Sequence, residues 1–143
     1  MKIVVDTNVI IDFFLARELH YREAVRLFEL ISEGRVDAFT TASSITDVFY
    51  IVAKRLGRDT AKETLRNLFN ILGIISVDNL DCFWALDLPI TDFEDALVIT
   101  CANKEHIDYI VTNDIEFTRV PSVRPNVITV DYFLNHIAVD GTH

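Results

Sequence analysis

The chain has 143 residues, 50% of them hydrophobic and 24% charged, with a formal net charge of −9. That balance excludes a disordered chain and predicts a single domain over residues 1–143. No apolar run approaches the roughly 18 residues of a membrane helix. The N-terminal apolar stretch, broken at Asp6 and Asp12, is no signal sequence either, so the expected location is the cytoplasm, with no membrane partner.

Lys2–Val5 is a short β-branched run suited to a buried strand, and a helix is expected from Thr7 to Ala16. Tyr21–Glu33 has Ala24, Leu27, Phe28 and Ile31 at helical spacing and is closed by Gly34. Asp37–Thr40 reads as a short strand. Ile45, Val48, Phe49, Val52 and Leu56 share one helical face that stops at Gly57, and Asp59–Leu72 repeats the pattern up to Gly73. Ile74–Val77 is a second β-branched run, and Leu80–Leu88 a short helix ended before Pro89. Asp92–Glu105, apolar through its middle, predicts a buried helix. Tyr109–Thr112 and Val127–Val130 are strands, with a loop marked by Pro121 and Pro125 between them; Asp131–Ile137 is a last helix, and the tail to His143 is expected to fray. Apolar strands alternating with helices predict an α/β fold, a parallel sheet covered by helices on both faces.

Charge is segregated along the chain. Asn67 to Asn103 holds no Lys or Arg but carries Asp78, Asp81, Asp87, Asp92, Glu94 and Asp95, whereas Lys54, Arg55, Arg58, Lys62 and Arg66 crowd the segment before it. An acidic total argues against a surface that meets nucleic acid everywhere. The segregation suggests an acidic site beside a basic flank, although a solvated surface accounts for either segment alone. Cys82 and Cys101 are expected as buried free thiols, too few for a disulfide framework. His20, His106, His136 and His143 fit no ligand spacing, which disfavours zinc.

In a parallel sheet, strand C-termini and the helix N-termini that follow share one edge. Asp6 follows the first strand, Asp114 follows Tyr109–Thr112, Asp47 opens the helix after the second strand, and Asp92 and Asp95 open the buried helix. Each alone reads as a helix cap; Ser44–Asp47 matches a capping box, and Asp92–Asp95 can be read the same way. Together they ask for more, because Ser43, Ser44 and Thr91 could have capped as well. Two carboxylates ~4 Å apart repel by roughly 4 kcal/mol at an effective dielectric of ~20. A bound cation relieves this, and carboxylates without His or Cys suit Mg²⁺ or Mn²⁺, here on Asp6, Asp95 and Asp114. Such a site is apparatus for phosphodiester hydrolysis. No phosphate-binding glycine loop and no nucleophile elbow is present.

The segments Lys2–Asn8, Asp47 on its helix, Asp92–Ala96 and Ile110–Asp114 together resemble the PIN domain, in its branch of VapC-like toxins. The resemblance covers nearly the whole chain. It implies a Rossmann-like parallel sheet and a Mg²⁺- or Mn²⁺-dependent ribonuclease whose acids are Asp6, Asp47, Asp95 and Asp114, with Thr7, Asn8 and Thr112 as polar support. It also implies an RNA substrate, a neutralising antitoxin and a homodimer, the helices between Tyr21 and Leu72 being either dimer face or core. Lys54, Arg55, Arg58, Lys62 and Arg66 become candidates for guiding the RNA backbone. The sequence departs from the family in having Asp47 where Glu is usual, an additional acid at Asp92, and Asn113 where a basic residue is frequent; Glu116 offers another carboxylate nearby. A degenerate PIN fold that binds RNA or protein, or an enzyme acting on DNA, stays open at this point.

Overall fold

Strand β1 (Lys2–Val5) leads into α1 (Thr7–Phe14) and α2 (Tyr21–Ser32), then β2 (Asp37–Thr41), α3 (Ala42–Leu56), α4 (Arg58–Phe69), β3 (Gly73–Ile75), α5 (Asn79–Leu86) and α6 (Phe93–Lys104). The chain continues through β4 (Tyr109–Thr112), α7 (Ile115–Thr118), β5 (Asn126–Thr129) and α8 (Val130–Tyr132), which passes into a π-helical turn over Phe133–Ile137. The computed structural model describes residues 1–121 and 124–138; the tail beyond Ala138, expected to fray, lies outside them. All strand pairs are parallel, in the order β3-β2-β1-β4-β5. The chain builds outward from β1 on one side and then returns to add β4 and β5 on the other. The order therefore reverses between β1 and β4, where sheets of this kind open a crevice at their carboxyl edge.

Both faces of the sheet are covered, as the apolar strands require. Pleating sends Ile3 and Val5 of β1 to one face with Val9, Leu27, Val48, Val52 and Leu68, and Val4 to the other with Ile99, Cys101, Ile110 and Phe117. The apolar residues of α2, α3 and α4 mostly belong to the first of these cores, so the segment between Tyr21 and Leu72 is chiefly core. Helix α6 is buried as expected because the sheet holds one side of it while α5 covers another through Ala85, Ala96 and Leu97. The Lys104 ammonium pins these two helices by donating to the buried Asp81 carboxylate at 2.7 Å and to the Ser76 carbonyl at 2.9 Å.

Several boundaries differ from the sequence expectation, each for a local reason. Helix α1 ends two residues early, and Ala16 adopts a left-handed φ of 50°. Helix α3 starts at Ala42 because Thr41 caps it, accepting from the Ser44 amide at 3.3 Å. The capping box read at Ser44–Asp47 is therefore incorrect, and Asp47 sits in the second turn. A full box does form at α5, where Asp78 and Asp81 each accept from the other's backbone N–H. Gly73 does not close a helix: it lies in β3, where a Cβ would come within 2.6 Å of the Phe39 ring. Helix α4 stops earlier, at Phe69. The short α7 was not expected, and the final helix starts one residue sooner than read. Cys101 is buried, and burial pushes its thiol up to about 12, so it is inert; Cys82 is only half-buried.

Candidate active site

The crevice between β1 and β4 is built by four hydrogen-bonded residues. Asp6 leaves β1 in an extended conformation, caps α1 and accepts from the Thr7 amide through Oδ1 at 2.9 Å. Its Oδ2 accepts from the Thr112 hydroxyl at 2.8 Å and from Asn8 Nδ2 at 3.3 Å. Thr112, fully buried at the end of β4, also accepts from Asn8 Nδ2 at 3.2 Å and from the Asp114 amide at 3.0 Å. Asp114 caps α7 by accepting from the Glu116 amide at 3.0 Å, and its charge acts on Asp6 and Asp95. Asn8 and Thr112 are thus tied to Asp6 by their side chains. Thr7 contributes its backbone, while its buried hydroxyl has no partner among the described residues.

Helix α6 brings its N-terminus to the same edge. Asp92 caps it, accepting from the Asp95 amide at 3.0 Å. The reciprocal bond of a capping box is missing there, which leaves the Asp95 carboxyl free. Burial, together with the charges of Asp92, Asp6 and Asp114, pushes Asp95 up to about 7. Burial likewise raises Asp6, with Asp114 adding to it against the pull of its hydrogen-bond donors. Asp47 joins from α3 by facing Glu94: a hydrogen bond between these carboxyls, then burial and the Asp47, Asp6 and Asp92 charges, push Glu94 up to about 7. Asp6, Asp92, Asp95 and Asp114 therefore share one edge, and Asp47 reaches it through Glu94.

Glu94 was not singled out in the sequence. Its only signal in the sequence is its place between Asp92 and Asp95. Asp12 was missed too. It is buried four residues after Asn8, on the same side of α1, and accepts from Asn113 Nδ2 at 2.6 Å, with Arg17 at 4.0 Å. Asn113 donates its amide to Asn8 Oδ1 at 3.0 Å, so it braces the crevice from inside. Glu116 turns away to pair with Arg119 at 3.2 Å.

The all-carboxylate donor set matches a hard divalent cation in charge and chemistry. Among the described residues, no three His, Cys, Asp or Glu side chains stand ready-grouped around a metal position. The fit is one of donor type, and gathering ligands takes side-chain rotation at the exposed members. The basic segment lies on α3 and α4. Lys54 and Arg55 occupy the last turn of α3, where they also suit the helix dipole, and Arg66 is paired with Glu63 at 2.8 Å. A cleft of about 740 Å³ between α5 and α6, lined by Asp81, Trp84, Ile99 and Lys104, is separate from the carboxylates. No helix among the described residues is long and apolar enough to cross a membrane.

Residues 2–116 match the family model of the PIN domain. A ribonuclease, VapC1 of Aquifex aeolicus, is 30% identical over 121 residues, which is 81% of this chain and 83% of that protein. Among solved structures, VapBC2 of Rickettsia felis bound to a promoter DNA fragment superposes with a TM-score of 0.68 at 20% identity, over 90% of this chain and 98% of that one. VapC20 of Mycobacterium tuberculosis, a toxin that cleaves the sarcin-ricin loop, gives 0.65 at 18% identity over 80% and 92%. With its sheet order, its carboxylate edge and the span of these matches, the chain belongs to the PIN domain family.

Proposed function

We propose that this chain is a Mg²⁺- or Mn²⁺-dependent endoribonuclease, acting in the cytoplasm as the toxin of a toxin–antitoxin pair. The observation that carries the reading is the crowding of Asp6, Asp95, Asp114, Asp47 and Glu94 at the crevice, where burial and neighbouring charges push Asp95 up to about 7, and the Asp47 hydrogen bond and burial push Glu94 up to about 7. Asp6, Asp95 and Asp114 are the proposed ligands. A cation held by Asp6, Asp95 and Asp114 would supply charge neutralisation at the phosphate and would lower the pKa of a bound water. The rest falls to the chain. Three donors hold Asp6 in one orientation, so it presents the same lone pairs whatever the substrate does. Asp47 and Glu94 share a hydrogen bond at the crevice and are proposed to orient water there. Lys54, Arg55, Arg58, Lys62 and Arg66 are proposed to contact RNA phosphates.

Purified protein is expected to cleave single-stranded RNA with Mn²⁺, to stop in EDTA, and to be silenced by a small partner encoded beside it. Tight RNA binding without cleavage under any divalent ion would instead identify a degenerate PIN module. Equal cleavage of DNA would remove the RNA assignment. The relatives solved as VapBC assemblies support the antitoxin part of the proposal.

A second copy of the chain is proposed to cover α5. Leu80, Phe83, Trp84 and Leu86, half the residues of that helix, are between 59% and 69% exposed. So dense an apolar surface on one short helix is the mark of an interface rather than of scattered exposure. Sedimentation should show a dimer that Trp84→Glu together with Phe83→Glu converts to a folded monomer; a wild-type monomer at 100 µM would exclude it.

A further inference from the structure

We propose that Tyr50 is a base-stacking platform for single-stranded RNA beside the cleavage site, an inference that rests on the ribonuclease reading. Tyr50 and Lys54 follow Asp47 by three and seven residues, so all three lie along one flank of α3. At 1.5 Å per residue they stand about 4.5 Å and about 10.5 Å beyond Asp47 along the axis. Ser44, Val48 and Val52 occupy the buried side of the same helix, which leaves this flank to solvent. Tyr50 is 63% exposed. Its ring nonetheless has a support: Phe49, packed against the core, meets it in a T-shaped contact with centroids 5.3 Å apart and planes at 85°. Such a contact restrains the ring and can cover at most one of its faces.

An exposed aromatic ring held in place one helical turn from a carboxylate of the acid edge matches how single strands are gripped. Aromatic rings stack on bases while nearby cations take phosphates, and the strand remains readable in any sequence. Charge selects the occupant. A protein segment that docks in an acid cluster is cationic, and on this flank it would meet Lys54 of like sign, whereas an RNA strand leaving the crevice meets a ring and then an ammonium. Because every base has a π-face, Tyr50 adds affinity and holds the strand down without choosing the sequence cut.

The test compares wild type, Tyr50→Ala, Tyr50→Phe and Lys54→Ala. Equilibrium binding of a fluorescent mixed-sequence 12-nucleotide RNA is measured in an Asp6→Asn background with Mg²⁺, and kcat and KM are measured with Asp6 intact in Mn²⁺. Tyr50→Ala should weaken Kd and raise KM by roughly 10-fold to 100-fold, with kcat kept within about threefold and the salt dependence unchanged. Tyr50→Phe should bind like wild type, since the ring is retained. Lys54→Ala should flatten the slope of log affinity against log salt by about 0.7. Tyr50→Ala that binds RNA like wild type, or Tyr50→Phe that fails as badly as Ala, overturns the proposal. Unchanged RNA binding with lost response to the antitoxin would overturn it too, by assigning the ring to a protein surface. Wild type that cleaves no RNA at all sinks the ribonuclease reading itself, a result separable from a silent Tyr50.

Discussion

Asp6→Asn is expected to lower RNA cleavage by roughly 10³-fold while leaving the fold intact. The two halves of that expectation have different physical sources. Asparagine caps a helix about as well as aspartate, and its Oδ1 can still accept from the Thr7 amide, so α1 keeps its start. What disappears is the negative charge at the point where the strand order reverses, on a carboxylate fixed by donors from β4 as well as from α1. Circular dichroism should therefore be close to wild type, and single-turnover cleavage in Mn²⁺ should be nearly absent. An Asn variant that cleaves at more than a tenth of the wild-type rate would place the reaction elsewhere on the molecule.

Asp95→Asn is expected to raise the metal-free melting temperature at pH 7.5 while abolishing both cleavage and stabilisation by Mn²⁺. Asp95 is pushed up to about 7 by burial and by Asp92, Asp6 and Asp114. A raised carboxyl pKa means that the native state holds its proton longer than the unfolded chain does. Its contribution is full below the unfolded pKa near 4 and is lost as pH rises through about 7. Wild type in EDTA should thus lose stability between pH 5 and pH 8, and the Asn variant should lose less. Asp95 is only half-buried, so solvent screening reduces the gain to about 1 kcal/mol, or roughly 3–5 °C in melting temperature. In Mn²⁺ the order should reverse, because only wild type gains the ion's binding energy. A variant melting no higher than wild type in EDTA, and still shifted upward by Mn²⁺, would leave Asp95 outside the acid cluster.

The acids of the crevice were legible because a parallel sheet leaves little choice about where residues after its strands go. Asp6 directly follows a β-branched run and Asp114 follows Thr112, so neither can lie anywhere but the carboxyl edge. Asn8 and Thr112 were legible for the same reason. What escaped were features that depend on contacts between elements distant in sequence. Glu94 looks like helix-dipole decoration until the fold brings the Asp47 carboxyl to it at the shared edge. Asp12 looks like an interruption in an apolar run until Asn113 reaches it across 101 positions. Gly73 reads as a helix stop, and only the Phe39 ring on the neighbouring strand reveals why no side chain fits there. The apolar positions of α5 were visible, but a short helix gives no sign of which face the rest of the chain will leave bare.

The hydroxyl of Thr112 has one proton and two lone pairs, and all three are committed. The Asn113 amide settles which end of the Asn8 side chain faces inward by occupying Oδ1, so Nδ2 must donate. With that donor and the Asp114 amide filling its lone pairs, Thr112 has a single direction left for its proton, toward Asp6 Oδ2. The hydrogen bonds therefore have a polarity, running from the backbone of the turn after β4 to the carboxylate after β1. That polarity writes a preference for the anion into the scaffold, against the desolvation that raises Asp6.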